Sequence, residues 1–372
     1  MGPDRLAGLP EDILYDILVR LPATSVLRCR AVCRSWRRLA SDPAFLLDHH
    51  RRQPLLTMIR SYSYRRTAYG VKNYPYPVRE AIHLSGAEFR PVFWFPEQIG
   101  FRSIRASCDG LFIAGDYICN PTTRHWAPLP MGPKLNNLVG LFRHKPSGEY
   151  RVLYSRPSSI PPEFDEYFVL TVGTDLSRRV DCPVESGTEI RISGAPVVLN
   201  DNMYLHWRER PGTHYNHKIL VFDTVAETFR QMNPPTVEPR HVMHLFDMGE
   251  KLSVSTSKDD MTAISMFILQ NSDVWAFQYR IKLPVMDIRR FEEQGDLWAK
   301  VVSEEGDVLA SCHGQLLHYD KNGNLVANFK YEDHDLPEVL LPRLKESLIQ
   351  RTFFQKKIGK EKEELIPIDL EI

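Results

Sequence analysis

The first fifty residues carry their apolar positions at helical spacing. Ile13, Leu14, Ile17, Leu18 and Leu21 fall at i, i+1, i+4, i+5 and i+8, one stripe of an amphipathic helix. Leu9-Pro10-Glu11-Asp12 opens that helix: proline is tolerated in the first turn, and two acids meet the positive end of the dipole. Leu21-Pro22 ends it. A second helical stretch is expected from about Thr24 to Leu39, with Leu27, Val32, Trp36 and Leu39 on one face. Arg28, Arg30, Arg34, Arg37 and Arg38 occupy much of the rest, and Ser41-Asp42-Pro43 closes the unit before the apolar pair Phe45 and Leu46. A helical unit of ~40 residues with no disulfide or metal rarely buries enough surface to stand alone. At ~1.5–3 kcal/mol per large side chain fully buried, three or four uncovered Leu or Ile residues would be an aggregation-prone surplus. A partner that covers them explains the surplus most simply; docking on the downstream chain is the alternative.

Beyond residue 50 the helical stripes give way to short alternating runs bounded by Pro, Gly, Asn and Asp. One phrase recurs: an apolar strand, a turn residue, then an aromatic-bearing strand. Its turn positions Asn120, Gly173, Asp223, Gln270 and Asp320 are separated by 53, 50, 47 and 50 residues. A period near fifty is the size of one four-stranded blade of a β-propeller. Each period also holds an earlier strand pair, such as Val197-Val198-Leu199 turning at Asn200-Asp201-Asn202 into Met203-Tyr204-Leu205. Five periods fill residues 102–334, and residues 55–100 have length for one more, so six blades are expected, with seven the alternative. Bare sheet edges make ring closure the physical expectation. From Pro342 to Phe354, Leu344, Leu348, Ile349 and Phe353 follow a helical period, predicting a C-terminal helix before a charged tail. The predicted fold class is therefore α+β: helical residues 1–50, an all-β propeller over 51–340, and a C-terminal helix and tail over 341–372.

Charge changes this picture little. Lys plus Arg and Asp plus Glu number 47 each, so no long-range field draws in nucleic acid or anionic lipid. The six cysteines (Cys29, Cys33, Cys108, Cys119, Cys182 and Cys312) have neither the density nor the spacing of a secreted disulfide framework. The chain shows no signal-peptide pattern and no run near the ~18 apolar residues of a membrane span. Cytosol or nucleus is the expected compartment, with neither membrane nor nucleic acid as partner.

Catalytic motifs are absent: no Gly-x-Ser-x-Gly elbow, phosphate loop, dinucleotide fingerprint or His-Glu-x-x-His. Cys29 and Cys33 lie four apart with no second ligand pair, and His214-x-x-His217 and His241-x-x-His244 would face opposite sides of a strand. No metal or other cofactor is expected. Cys108-Asp109 and Cys312-His313 read as buried thiols rather than nucleophiles. Asp109, Asp116, Asp223 and Asp320 are the carboxylates a propeller hydrolase could use, although Asp in turn phrases ordinarily bonds its own backbone. Tyr62 and Tyr64, and Trp207 with Arg208 and Arg210, bring aromatics and arginine together in expected loops, a composition enriched at binding hot spots.

Leu9-Pro10-x-x-Ile13-Leu14-x-x-Ile17-Leu18-x-x-Leu21-Pro22, then Leu27-Arg28-x-Arg30-x-Val32-Cys33-Arg34-x-Trp36-Arg37-x-Leu39, then Asp42-Pro43-x-Phe45, resembles an F-box. The rest of the chain resembles the F-box-associated domain of plant F-box proteins of the grass type. That likeness rests on Ser107-Cys108-Asp109-Gly110-Leu111, Asn120-Pro121-Thr122-Thr123-Arg124, Gly148-Glu149-Tyr150-Arg151-Val152-Leu153 and Leu316-Leu317-His318-Tyr319-Asp320. The chain lacks the Gly-Gly and Trp-Asp dipeptides of kelch and WD repeats. The resemblance implies a non-catalytic subunit of an SCF-type cullin-RING ubiquitin ligase. Its F-box would bind a Skp-type adaptor, and through it cullin, by Leu9, Pro10, Ile13, Leu14, Ile17, Leu18, Leu21, Pro22, Leu27, Val32, Cys33 and Trp36. Its propeller would hold a substrate protein. Two rivals are a propeller hydrolase with an N-terminal packing element, and an F-box protein acting outside ubiquitination.

Overall fold

A computed structural model describes residues 10–67, 70–75, 80–83, 88–91, 104–130, 137–157, 165–183, 190–192, 194–209, 216–237, 242–257, 263–271, 273–283, 298–301, 306–312, 315–331 and 335–354. Four helices come first: α1 (Glu11–Leu18), α2 (Ala23–Cys29), α3 (Arg34–Leu39) and α4 (Pro43–Arg52). The single second helix expected over residues 24–39 is broken at residues 30–33. Arg30 turns inward there, its Nε and Nη2 donating to the Ala40 carbonyl at 3.0 and 2.8 Å, while Arg37 Nε donates to the Arg30 carbonyl at 3.0 Å. Ser41-Asp42-Pro43 opens a fourth helix instead of closing the unit. Asp42 Oδ1 accepts from the Ala44 and Phe45 amides at 2.9 and 3.0 Å, and Pro43 sits in the first turn. Residue 50 lies inside α4, and the next strand starts at Leu55.

The remaining elements build six antiparallel sheets. The first combines β1 (Leu55–Thr67), β2 (Gly70–Pro75), β3 (Glu80–His83) and β4 (Glu88–Pro91) with the last strand of the chain, β26 (Asp335–Lys345), which pairs with β1 from Leu55↔Lys345 to Ser63↔Asp335. The other five follow in order: β5–β8 within residues 104–128, β9–β12 within 137–180, β13–β17 within 190–232, β18–β21 within 242–282 and β22–β25 within 298–330. We number these sheets as blades 1 to 6.

Alternation along the strands explains the ring. In β16 (Asn216–Asp223), Ile219, Leu220, Val221 and Phe222 are all fully buried. Leu220 and Phe222 pack with Leu153 and Tyr167 of blade 3, whereas Ile219 and Val221 pack with Leu245 and Val254 of blade 5. A strand covered on both faces reads as a continuous apolar run, yet period two still sends its side chains to two cores. Equivalent cores join blades 1 and 2, 2 and 3, and 5 and 6. One more closes the circle, where Leu309 and Leu316 of blade 6 meet Ile59, Ile82 and Val339 of blade 1. The ring is a closed six-bladed propeller.

All five repeated turn positions fall at or just past the end of their blade's third long strand. Asp223 Oδ1 accepts from the Val225 and Ala226 amides at 2.8 Å each, and Asp320 Oδ1 accepts from the Asn322 and Asn324 amides at 2.8 Å each. Both are turn-forming carboxylates, as the sequence predicts.

The C-terminal helix expected from Pro342 to Phe354 does not form. Residues 342–345 complete β26, residues 346–351 run without regular structure, and only Thr352–Phe354 makes a 3-10 turn. The i, i+4 spacing of Leu344 and Leu348 has another cause: Leu344 faces the core between blades 1 and 2, and Leu348 enters the core of the helical unit. The charged tail beyond residue 354 lies outside the described residues.

Candidate docking surface

In α1, Leu14 and Leu18 point inward, 4% and 0% exposed, into a core with Val19, Ala23, Val26, Leu39, Phe45 and Leu46. Ile13 and Ile17, one turn apart on the neighbouring face, are each 45% exposed. The stripe read from the sequence is therefore two stripes, one facing the core and one facing solvent. Completing the burial of each isoleucine would contribute roughly 1 kcal/mol, about half the full-burial value. Pro10, at the start of α1, is exposed; its carbonyl accepts from the Leu14 amide at 3.0 Å.

The other adaptor-facing candidates divide in the same way. Leu21, Pro22, Leu27, Cys33 and Trp36 are half-buried, Val32 in the break between α2 and α3 is exposed, and Leu9 lies outside the described residues. Leu14 and Leu18 are positioned to shape the surface from below. Leu47 on α4 is a further exposed apolar residue that the sequence reading passed over. Arg28, Arg34, Arg37 and Arg38 are exposed, and Arg38 Nη2 pairs with Glu11 Oε2 at 3.1 Å, tying the end of α3 to the start of α1.

His49 and His50 support this unit from its rear. His49 Nε2 donates to the Leu21 carbonyl at 2.9 Å, and burial holds its pKa below the ordinary 6.5. His50 Nδ1 donates to the Glu346 carbonyl at 2.9 Å, and its Nε2 lies 3.9 Å from Asp109 Oδ1 in blade 2. Burial pushes the Asp109 carboxyl upward, but its contacts with His50 and Tyr150 and the charge of Arg351 outweigh it and hold the group below the usual carboxylate range. Neither histidine carried a recognisable signal in the sequence, because each acts through a carbonyl of a distant segment.

The propeller candidates fare differently. Tyr62 and Tyr64 lie within β1, opposite Pro75 and Asn73, rather than in a loop. Trp207 and Arg208 lie within β15 (Asn202–Glu209), and Trp207 is 2% exposed in the core between blades 3 and 4. That burial removes Trp207 from a substrate surface; a buried ring between blades carries the same composition signal as an exposed one. Arg210 lies outside the described residues. His217 faces His206, with Nδ1 and Nε2 at 2.9 Å, inside blade 4; His214, His241 and His313 lie outside the described residues.

The carboxylates weighed for hydrolysis are engaged elsewhere. Asp223 and Asp320 hold their own turns, Asp116 occupies the turn after Leu111–Ala114, and Asp109 accepts from the Tyr150 hydroxyl at 2.8 Å. Burial pushes the Cys108 thiol well above its ordinary value, which opposes thiolate formation. Cys29 ends α2 and Cys33 precedes α3, so the pair does not share one helix. Among the described residues no group of three or more His, Cys, Asp or Glu is placed to hold a metal ion, and no helix is long and apolar enough to cross a membrane.

These elements define a four-helix unit seated on a six-bladed propeller. Residues 6–52 match the F-box-like family, and residues 95–350 match the family described as the F-box associated beta propeller domain. The chain belongs to this plant family of F-box proteins with an associated propeller. An F-box protein of Arabidopsis thaliana is 39% identical over 331 residues, covering 84% of this chain and 94% of the relative. A putative F-box/kelch-repeat protein of the same plant is 23% identical over 362 residues, covering 86% and 87%. Among solved structures, the Dos1 propeller is similar at a TM-score of 0.38 and 9% identity, covering 75% of this chain and 82% of that one.

Proposed function

We propose that this chain is the substrate-recognition subunit of an SCF-type cullin-RING ubiquitin ligase. The F-box docks on a Skp-type adaptor, which links it to cullin, and the propeller holds a protein to be ubiquitinated. The division we propose gives the adaptor-binding role to the N-terminal helical domain and substrate holding to the ring closed by β26. The chain itself makes and breaks no bond; it contributes proximity, raising the local concentration of substrate lysines at the ligase. Cytoplasm and nucleus are the compartments that fit this role.

One observation carries the reading: α1 of a family F-box holds two isoleucines half out of solvent contact while its own core is already filled by Leu14 and Leu18. Pro10, Ile13, Ile17 and Val32 are the proposed direct contacts, with Leu21, Pro22, Leu27, Cys33 and Trp36 at their margins; Leu9 is proposed as a contact from the motif alone. The test is co-purification of a Skp-type adaptor with the full chain. Changing Leu9 and Pro10 together to Ala abolishes it while the propeller stays folded; retained binding by that double variant defeats the assignment.

A further inference from the structure

Residues 346–354 follow the last strand of blade 1 and run between the helical unit and the ring. Glu346 meets the helices: its carbonyl accepts from His50 Nδ1 at 2.9 Å, and its Oε2 lies 3.5 Å from the Ala23 amide that begins α2. Ser347 meets blade 2: its carbonyl accepts from Asn120 Nδ2 at 2.9 Å. Gly110 packs so closely here that an added Cβ would stand 2.5 Å from Ser347 Cβ and 2.6 Å from the Lys345 carbonyl. Leu348 turns back to the helices, 1% exposed among Leu14, Leu18, Val26, Phe45 and their neighbours. Arg351 then stacks over the Tyr150 ring at 4.8 Å, and Phe353 packs edge-on to the same ring in blade 3.

We infer that this segment is a clasp that completes the core of the helical unit and fastens that unit to blades 2 and 3. Leu348 is thus a positioning residue for the docking face, although about 330 residues separate it from α1 in the sequence. A side chain with so little exposed surface is a core member, and deleting part of it leaves a cavity that neighbouring side chains only partly refill. Glu346 and Leu348 face the helices while Ser347 between them holds blade 2, so loosening either side loosens both. The consequence for ligase assembly rests on the adaptor reading above; the clasp itself does not.

Native-state hydrogen exchange on the full chain tests the inference with two variants. Leu348→Ala cuts the helical side of the clasp. Asn120→Asp cuts the propeller side, because it removes the donor to Ser347 while keeping the Oδ1 acceptor for the Thr122 and Thr123 amides. The expected result is at least tenfold faster exchange of the amides in α1, α2 and α4 with Leu348→Ala, and a smaller acceleration of the same amides with Asn120→Asp. Amides of Leu252–Ser257 in blade 5 keep their parent rates in both. Should Leu348→Ala unfold the whole chain, Leu348→Val is read for the same split. Helical amides unchanged in both variants overturn the clasp, as does equal acceleration in helices and blades. Lost adaptor binding is a separate reading: a parent chain that fails to bind a Skp-type adaptor while both variants accelerate as expected sinks the adaptor assignment and leaves the clasp standing.

Discussion

Every propeller blade has a neighbour on each face, and strands such as β16 divide their side chains between two cores. Among the described residues helix α1 has a neighbour on one face only, and its outward stripe of Ile13 and Ile17 meets solvent. The propeller also exposes apolar side chains, among them Leu176, Val274, Phe277, Leu325 and Val326, but these sit on turns and outermost strands of separate blades. Scattered exposure of that kind is ordinary for a protein surface. The contrast teaches that the ring satisfies itself by closure, whereas the helical unit borrows Leu348 from the far end of the chain and still has an apolar face uncovered.

The sharpest way to separate the two regions is to cut one large side chain from each. Phe45 is fully buried and packs edge-on against Tyr15 at 5.3 Å. Phe45→Ala costs about 3–5 kcal/mol, comparable with the whole stability of roughly 2–6 kcal/mol that a unit of this size holds at 0.05–0.15 kcal/mol per residue. Circular dichroism is expected to show loss of the helical signal with the sheet signal retained. Phe222→Ala removes a similar area from the core between blades 3 and 4 and costs about the same. There, calorimetry is expected to show a lower melting temperature for the ring, not its collapse. Identical unfolding of both regions by either variant would erase the distinction.

The closing strand gives a smaller effect. Arg60 Nη2 and Glu338 Oε2 pair at 2.6 Å across the β1–β26 register, with side chains 13% and 32% exposed. Between the surface and buried limits, Glu338→Gln is expected to cost about 1–2 kcal/mol, read as a lower denaturation midpoint of the ring with an unchanged slope.

Acid acts on the helices through His49. Its folded pKa lies below 6.5 because burial disfavours the imidazolium, so the unfolded chain takes up the proton first. The stabilisation is complete above about 6.5 and is lost as pH falls from there toward the folded value. Asp109 is shifted in the same downward sense, from a different cause and in a lower window: held down by His50, Tyr150 and Arg351 against its burial, it stabilises above 3.8 and loses that contribution as pH falls through its folded value. Helical melting temperatures at pH 7.5 and 5 should differ in the parent and converge in His49→Gln.

Much of this architecture is legible in the chain. The fifty-residue period locates the blades because turn chemistry is local: Asp223 and Asp320 bond amides two to four residues on. Helix α1 is legible for the same reason. Long-range partners are what the residues alone conceal. Leu344 and Leu348 imitate a helical stripe because two different cores claim them. Arg30 reads as a solvated basic position until the Ala40 carbonyl is seen to receive it. Trp207 reads as a binding residue until blade 3 covers it.

The central claim is that the outward stripe of α1 is a docking face. Isothermal titration of a purified Skp-type adaptor into the full chain, compared with Ile13→Asp/Ile17→Asp, tests it most directly. Exposed positions tolerate such changes with little effect on folding, so the variant is expected to keep its helical signal and bind at least roughly 30-fold more weakly. Equal affinity of the two proteins, with both folded, would contradict the account.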